Sequence, residues 1–103
     1  MVNVIIYLEK SNEAKILVDN LLKFGLVANA SIDMNNISYR IEDGNIVEST
    51  NSVITAQSKS LLFSSIEVFV KEEYGPNVPI YSLPITQAND SFDSLIRGHT
   101  IKT

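Results

Sequence analysis

The spacing of apolar residues changes period repeatedly along the chain, and each change marks an element. Val2, Val4, Ile5, Ile6 and Leu8 form a short β-branched and apolar run, the composition of a central strand. Ala14, Leu17, Val18, Leu21 and Leu22 then recur at i, i+3, i+4, i+7 and i+8, a single helical stripe. Ser11 or Asn12 stands where a cap is needed, and Gly25 stands where the helix must stop. From Leu26 the period falls to two, with Ala28, Ala30, Ile32 and Met34 alternating with Val27, Asn29, Ser31 and Asp33. Ile37, Tyr39 and Ile41 resume the alternation after Asn35-Asn36, which predicts a bulge there. Asp43-Gly44 is a tight-turn signal, because such a turn requires positive φ.

The chain returns through Ile46-Val47 and then Val53 to Ala56, so a long hairpin is expected. Its polar segment Glu48-Ser49-Thr50-Asn51 reads as an interruption of the return strand. A second helix is predicted from Ser58 or Ser60, with Leu62, Ile66, Phe69 and Val70 on one face. Gly75-Pro76 closes it. Val78 to Leu83 makes a short strand, and Pro79 and Pro84 confine it to a sheet edge or bulge. Asn89 or Asp90 caps a brief helix containing Phe92, Leu95 and Ile96, with Gly98 as its end and His99 to Thr103 as a tail.

The order β-α-β-β-α-β plus a C-terminal helix predicts a single α+β domain over residues 1–103. Right-handed crossovers place both main helices on one face of an antiparallel four-stranded sheet, the ferredoxin-like arrangement. The other face is then left for solvent, a partner or a ligand. Val27, Ile41 and Val47 look like apolar surface that one helical layer does not cover, and self-association would cover it.

Composition narrows the chemistry. The 45% hydrophobic content suits a globular core, and 19% charged residues is too few for a disordered acidic chain. There is no cysteine and only one histidine, which excludes disulfide frameworks, thiolate nucleophiles, zinc fingers and iron–sulfur clusters. Twelve acids against eight bases give a net charge of −4, unsuited to nucleic acid. The apolar start lacks a basic flank and is too short to span a bilayer, so a cytoplasmic protein without membrane insertion is expected.

This topology hosts several activities, and specific residues argue against three of them. An RNA-recognition domain needs exposed aromatics on its central strands, and Ser52 to Gln57 has none. An acylphosphatase-like loop needs an arginine after the first strand, where Glu9-Lys10-Ser11-Asn12 stands instead. A heavy-metal domain of this fold needs a cysteine pair. His99 is a lone tail histidine, and Glu72-Glu73 and Asp90/Asp93 read as helix decoration or capping. No catalytic constellation emerges, so no enzyme is expected. Tyr39-Arg40 offers a polar edge on the hairpin, set against packing for the ring and solvation for the guanidinium.

Several segments, taken in order, resemble the CutA family of divalent-cation tolerance proteins. Leu26-Val27-Ala28-Asn29-Ala30-Ser31-Ile32 resembles that family's L-A-A-C-V-N-I. Ser38-Tyr39-Arg40-Ile41-Glu42-Asp43-Gly44 resembles its S-x-Y-x-W-x-G hairpin, shifted by one residue near the turn. Val70 to Ile80 resembles V-K-x-x-H-P-Y-x-V-P-E-I, Leu83-Pro84-Ile85 resembles L-P-V, and Phe92 to Ile96 falls where the family has Y-L-x-W. The resemblance implies a non-catalytic homotrimer with a role in cation tolerance or signalling, and clefts between subunits that take a small ligand or ion. Tyr39, Arg40, Gln57, Lys59 and Tyr74 are the candidate cleft contacts.

The departures bear on metal. Asn29 stands at the family's cysteine, and Tyr74-Gly75-Pro76 replaces H-P-Y. Ile80 replaces its glutamate, and Gln57-Ser58 replaces K-T. Ile6 lies near a first-strand cysteine of some members. A divalent cation is implied by the resemblance, yet the matching soft or borderline ligands are gone, so no cofactor is expected. Two other readings stay open. One is a PII-like regulatory module that binds an anionic metabolite through Lys59, Arg40 and Lys71; the other is a structural adaptor.

Overall fold

A computed structural model describes residues 1–102 of the chain. The elements are β1 (Val2–Leu8), α1 (Ser11–Lys23), β2 (Asn29–Glu42), β3 (Asn45–Ser58), α2 (Phe63–Tyr74), β4 (Ile80–Pro84) and α3 (Asp90–His99). A 3₁₀ turn over Ser60–Leu62 leads into α2. The strands form one antiparallel sheet in the order β2-β3-β1-β4. This is the predicted α+β ferredoxin-like arrangement, with β4 and its prolines on an edge.

Alternation along the central strands decides which sheet face is covered. Val4, Ile6 and Leu8 of β1 and Ile54 and Ala56 of β3 are buried on one side. Against them pack Ala14, Leu17 and Leu21 of α1 and Ile66 and Val70 of α2. Val27 joins this core, so it is not the uncovered surface the sequence suggested. The chain reaches it through a turn at Gly25, whose φ of +68° lets the helix end fold back under the sheet. The buried Ser58 hydroxyl donates to the Leu26 carbonyl and ties that turn to the end of β3.

Other boundaries differ from expectation for local reasons. Lys10 occupies the cap position of α1 without a side-chain cap bond, while the Asn12 side chain accepts from the Glu13 amide. Ser58 belongs to β3, and the second helix begins through the 3₁₀ turn instead. Val78 and Pro79 precede β4, although the Pro79 carbonyl still accepts from the Tyr7 amide at 3.1 Å. Asn89, not Asp90, caps α3, its side chain accepting from the Phe92 amide at 2.9 Å. Gly98 does not end α3, which runs on to His99.

The C-terminal segment is docked rather than free. The Ile101 amide donates to the Gly25 carbonyl at 2.9 Å, and the buried Thr100 hydroxyl donates to the Ile96 carbonyl at 2.7 Å. The last residue of the predicted tail, Thr103, lies outside the described residues.

The hairpin departs most from a compact shape. Strands β2 and β3 are each 14 residues long, and the polar segment Glu48 to Asn51 lies within β3 without breaking it. Serine, threonine and asparagine keep pairing there because the ladder satisfies their backbones whatever the side chain. The connection is the two-residue turn Asp43-Gly44, with φ of +50° and +80°. The molecule measures 46 × 28 × 21 Å with a radius of gyration of 14.5 Å. A compact domain of this length would give about 13 Å.

Candidate functional site

The open sheet face and the hairpin arm hold three of the five predicted contact residues. On the open face, Asn29, Gln57 and Asn3 stand side by side on β2, β3 and β1. The Asn29 amide donates to Gln57 Oε1 at 2.8 Å, and the Gln57 amide donates to Asn3 Oδ1 at 2.8 Å. Two positions where the sequence leaves the CutA pattern, Asn29 and Gln57, are therefore bonded to each other. Further along the same face the Tyr7 and Tyr81 rings lie 6.4 Å apart. The neighbouring Tyr81 phenol, with burial second, raises the Tyr7 pKa above its ordinary value.

A register shift between Asp33 and Asn36 separates this face from the arm. The predicted bulge is thus present, and the Asn35 amide closes it onto Asp33 Oδ1 at 3.1 Å. The extra residue on β2 reverses which side its residues face. Beyond it Ile37, Tyr39 and Ile41 pair with Thr50, Glu48 and Ile46, while Asn36, Ser38 and Arg40 pair with Asn51, Ser49 and Val47. One side of the arm is consequently apolar and the other polar.

The polar side is internally wired. The Asn36 amide donates to Asn51 Oδ1 at 2.9 Å, and the Asn51 amide donates to Ser38 Oγ at 3.1 Å. Arg40 donates through Nε to Glu42 at 2.7 Å and through Nη1 to Ser49 at 3.2 Å. Where the arm meets the body, Arg40 and Asn51 share a cleft of about 310 Å³ with Tyr7 and Pro79. It offers a guanidinium, a phenol and an amide, which suits binding through hydrogen bonds. The apolar side is bare: Ile37 is 55% exposed, Tyr39 65%, Ile41 75% and Ile46 77%. The Glu48 carboxylate, facing Tyr39 across the hairpin, raises that phenol's pKa above its ordinary value.

The other predicted contacts lie elsewhere. Lys59 follows β3, where its ammonium donates to the Ile101 carbonyl at 2.9 Å. Tyr74 ends α2, where its phenol donates to the Glu13 carbonyl at 3.3 Å. Within one chain only Tyr39 and Arg40 come together, beside Ile41 and Ile46 near the arm's end. Sequence reading passes over Tyr7 because a β1 tyrosine looks like core until the strand order exposes its face. It passes over Lys102 because His99 to Thr103 reads as a tail.

No family profile matches the sequence, and no curated protein matches it. Solved structures do match in three dimensions. A divalent cation tolerance protein, Cut A1, from Thermus thermophilus superimposes with a TM-score of 0.88 at 22% identity, over 97% of this chain and 99% of that one. A point mutant of CutA1 from Pyrococcus horikoshii gives 0.91 at 19% identity, over 99% and 100%. The periplasmic divalent cation tolerance protein CutA from Archaeoglobus fulgidus gives 0.87 at 24% identity, over 96% and 98%.

The chain has the CutA1 fold. Its full-length overlap with CutA1 structures includes the long hairpin, so the arm is part of the shared architecture.

The CutA1 fold raises the question of a cation, and the residues present do not fit a soft or borderline one. Among the described residues, no three His, Asp or Glu side chains stand together as a metal would require. Asn29 and Gln57 are amides already bonded to each other, and Ile80 has no donor atom. No helix among the described residues is long and apolar enough to cross a membrane.

Proposed function

We propose that this protein is a divergent CutA-like, non-catalytic homotrimer serving divalent-cation tolerance in the cytoplasm as one domain. The observation that carries the reading is the arm's bare apolar face, Ile37, Tyr39, Ile41 and Ile46, on a chain with the CutA1 fold over nearly its whole length. A protruding apolar stripe on an acidic monomer is covered most simply by another copy. The unpaired edges of β2 and β4 invite the same partner.

In this reading the arm brings Tyr39 and Arg40 to a neighbouring subunit, where the neighbour's surface completes a cleft for a small ligand or ion. Occupancy is relayed through the hairpin to a partner. Sheet, arm and cleft offer hydrogen-bond donors, which supports a binding role. The cation role is then exercised without a soft-metal site made by one chain.

Sedimentation equilibrium tests the assembly, with a mass three times 11.4 kDa expected. A stable monomer overturns the proposal. Titration with divalent cations, read as a thermal shift, tests the cleft. Saturable stabilisation that disappears when Ile41→Thr and Ile46→Thr weaken the assembly supports an intersubunit site. The absence of any shift overturns direct cation recognition.

A further inference from the structure

The few cations of this acidic chain are unevenly placed. Of its eight Lys and Arg residues, three line one cleft of about 460 Å³ beside α3: Lys59, Arg97 and Lys102. Among the described residues that line it, Asp93 is the one carboxylate. The sequence suggests Lys59, Arg40 and Lys71 for an anionic ligand. The fold scatters that set, since Arg40 is on the arm and Lys71 borders a different cleft with Gly75 and Ile80. It gives Lys59 two other cationic neighbours, Arg97 from the last helix and Lys102 from the segment that reads in sequence as a tail.

Placement is enforced by backbone contacts. Lys59 sits between β3 and the 3₁₀ turn, and its ammonium donates to the Ile101 carbonyl at 2.9 Å. Ile101 is itself bonded to Gly25, so the docked C-terminal segment carries Lys102 to the cleft. Arg97, one turn after Asp93 on α3, donates through Nε to Asp93 Oδ2 at 2.8 Å. An ammonium has three donor hydrogens and a guanidinium five, so each of these contacts leaves donors over. Exposed Leu61 and half-buried Met1 form an apolar wall, with Ile96 buried behind them.

Charge and shape point the same way. Among the described lining residues, three cations against one carboxylate make a locally positive concavity on a molecule whose net charge is −4. The volume falls in the range of small-molecule sites, which combine apolar walls with a few converging polar groups. A multiply charged tetrahedral oxyanion uses several converging donors better than a planar carboxylate does. Guanidinium and ammonium groups together suit it.

We propose that this cleft binds a small organic phosphate, its phosphoryl group held by Lys59, Arg97 and Lys102 and its carbon body against Leu61 and Met1. The cleft is built within one chain, so the proposal stands or falls separately from trimer formation.

Titration of the full chain with phenyl phosphate at constant ionic strength, followed by amide NMR shifts, tests it. Saturable shifts confined to residues 59–61 and 96–102 are expected. Arg97→Gln and Lys59→Gln should each weaken binding by roughly fivefold or more, because each removes a charge-assisted donor. Asp93→Asn should tighten binding by about the same factor, since it removes the opposing charge. The opposite signs separate recognition from general loss of structure, and the Arg97 side chain is 75% exposed, so its removal spares the core.

Absence of saturable shifts overturns the proposal, as does unchanged binding in Arg97→Gln. Benzoate binding as tightly as phenyl phosphate overturns the phosphate assignment.

Discussion

Isoleucine is used in two opposite ways in this small protein. Ile6, Ile54 and Ile66 lie in the body with no exposed surface, between the sheet and its helices. Ile37, Ile41 and Ile46 lie on the arm and are each more than half exposed, although they occupy regular strands of the same sheet. Ile6 and Ile54 share the strand periodicity of the arm residues, so side-chain pattern alone does not separate them. The helical layer does: α1 and α2 cover the sheet only as far as its body, and the arm continues past them. In the body an isoleucine contributes to folding of its own chain, whereas on the arm it contributes only when another surface arrives.

The sharpest way to test that contrast is to cut a body residue. Leu17 is fully buried on α1, and Leu17→Ala should cost about 3 kcal/mol through lost burial plus the cavity left behind. Urea unfolding at a fixed protein concentration should show a lower midpoint with an unchanged slope. A cost below about 1 kcal/mol would place Leu17 outside a close-packed core.

The turn that anchors the C-terminal segment is next in size. Gly25 has φ of +68°, and a Cβ built there would stand 2.8 Å from Ile101 Cγ2. The side chain of Ile101 is half exposed and can move, so the left-handed backbone sets most of the penalty. Gly25→Ala should cost about 1–2 kcal/mol. It should also speed amide hydrogen exchange at Ile101, whose amide donates to the Gly25 carbonyl. Unchanged exchange at Ile101 would show that the terminal segment does not depend on this turn.

On the arm the expectation reverses. Ile41 and Ile46 are cross-strand partners, and replacing both with threonine keeps the β-branched shape while removing apolar surface. The folding stability of the isolated protomer should change by no more than about 0.5 kcal/mol per site, as at other exposed positions. Sedimentation should show the assembly weakened. A large loss of protomer stability with the assembly intact would mean that the arm packs within its own chain.

Much of this architecture was legible in the sequence because it rests on local signals. The stripe of α1, the Asp43-Gly44 turn and the bulge near Asn35-Asn36 each follow from spacing or backbone chemistry within a few residues. What stayed hidden depends on distant partners. The Glu48–Asn51 segment looks like an interruption until β2 is laid beside it and supplies its hydrogen bonds. Val27 looks uncovered until the Gly25 turn carries it beneath the sheet. The terminal segment looks free until Ile101 meets Gly25, and only then does Lys102 reach the cleft beside Lys59. The five candidate contacts fared unevenly for the same reason, since only neighbours in sequence, Tyr39 and Arg40, share a place in one chain.

The smallest expected effect compares one tyrosine on the body with one on the arm. Burial raises the pKa of Tyr74 above its ordinary 10.0, and the Glu13 and Glu73 carboxylates raise it further. Tyr39 is raised mainly by the Glu48 carboxylate opposite it on the hairpin, with a smaller contribution from burial. For both, the folded protein favours the neutral phenol more than the unfolded chain does. The resulting stabilisation is fully present below pH 10 and is lost as pH rises through the folded value. At Tyr74, ionisation also removes the donor to the Glu13 carbonyl and places a negative oxygen near two carboxylates. Solvent screens the same change at exposed Tyr39. In the Ile41→Thr, Ile46→Thr protein, where the assembly is weakened and Tyr39 faces solvent, urea midpoints measured from below to above about pH 10 should therefore fall less steeply once Tyr74→Phe is added, whereas adding Tyr39→Phe should change the fall little. Added salt should shrink the Tyr39 effect first. If Tyr39→Phe flattens the alkaline limb more than Tyr74→Phe does, the arm tyrosine is the better buried of the two in solution, and a neighbouring subunit must be covering it.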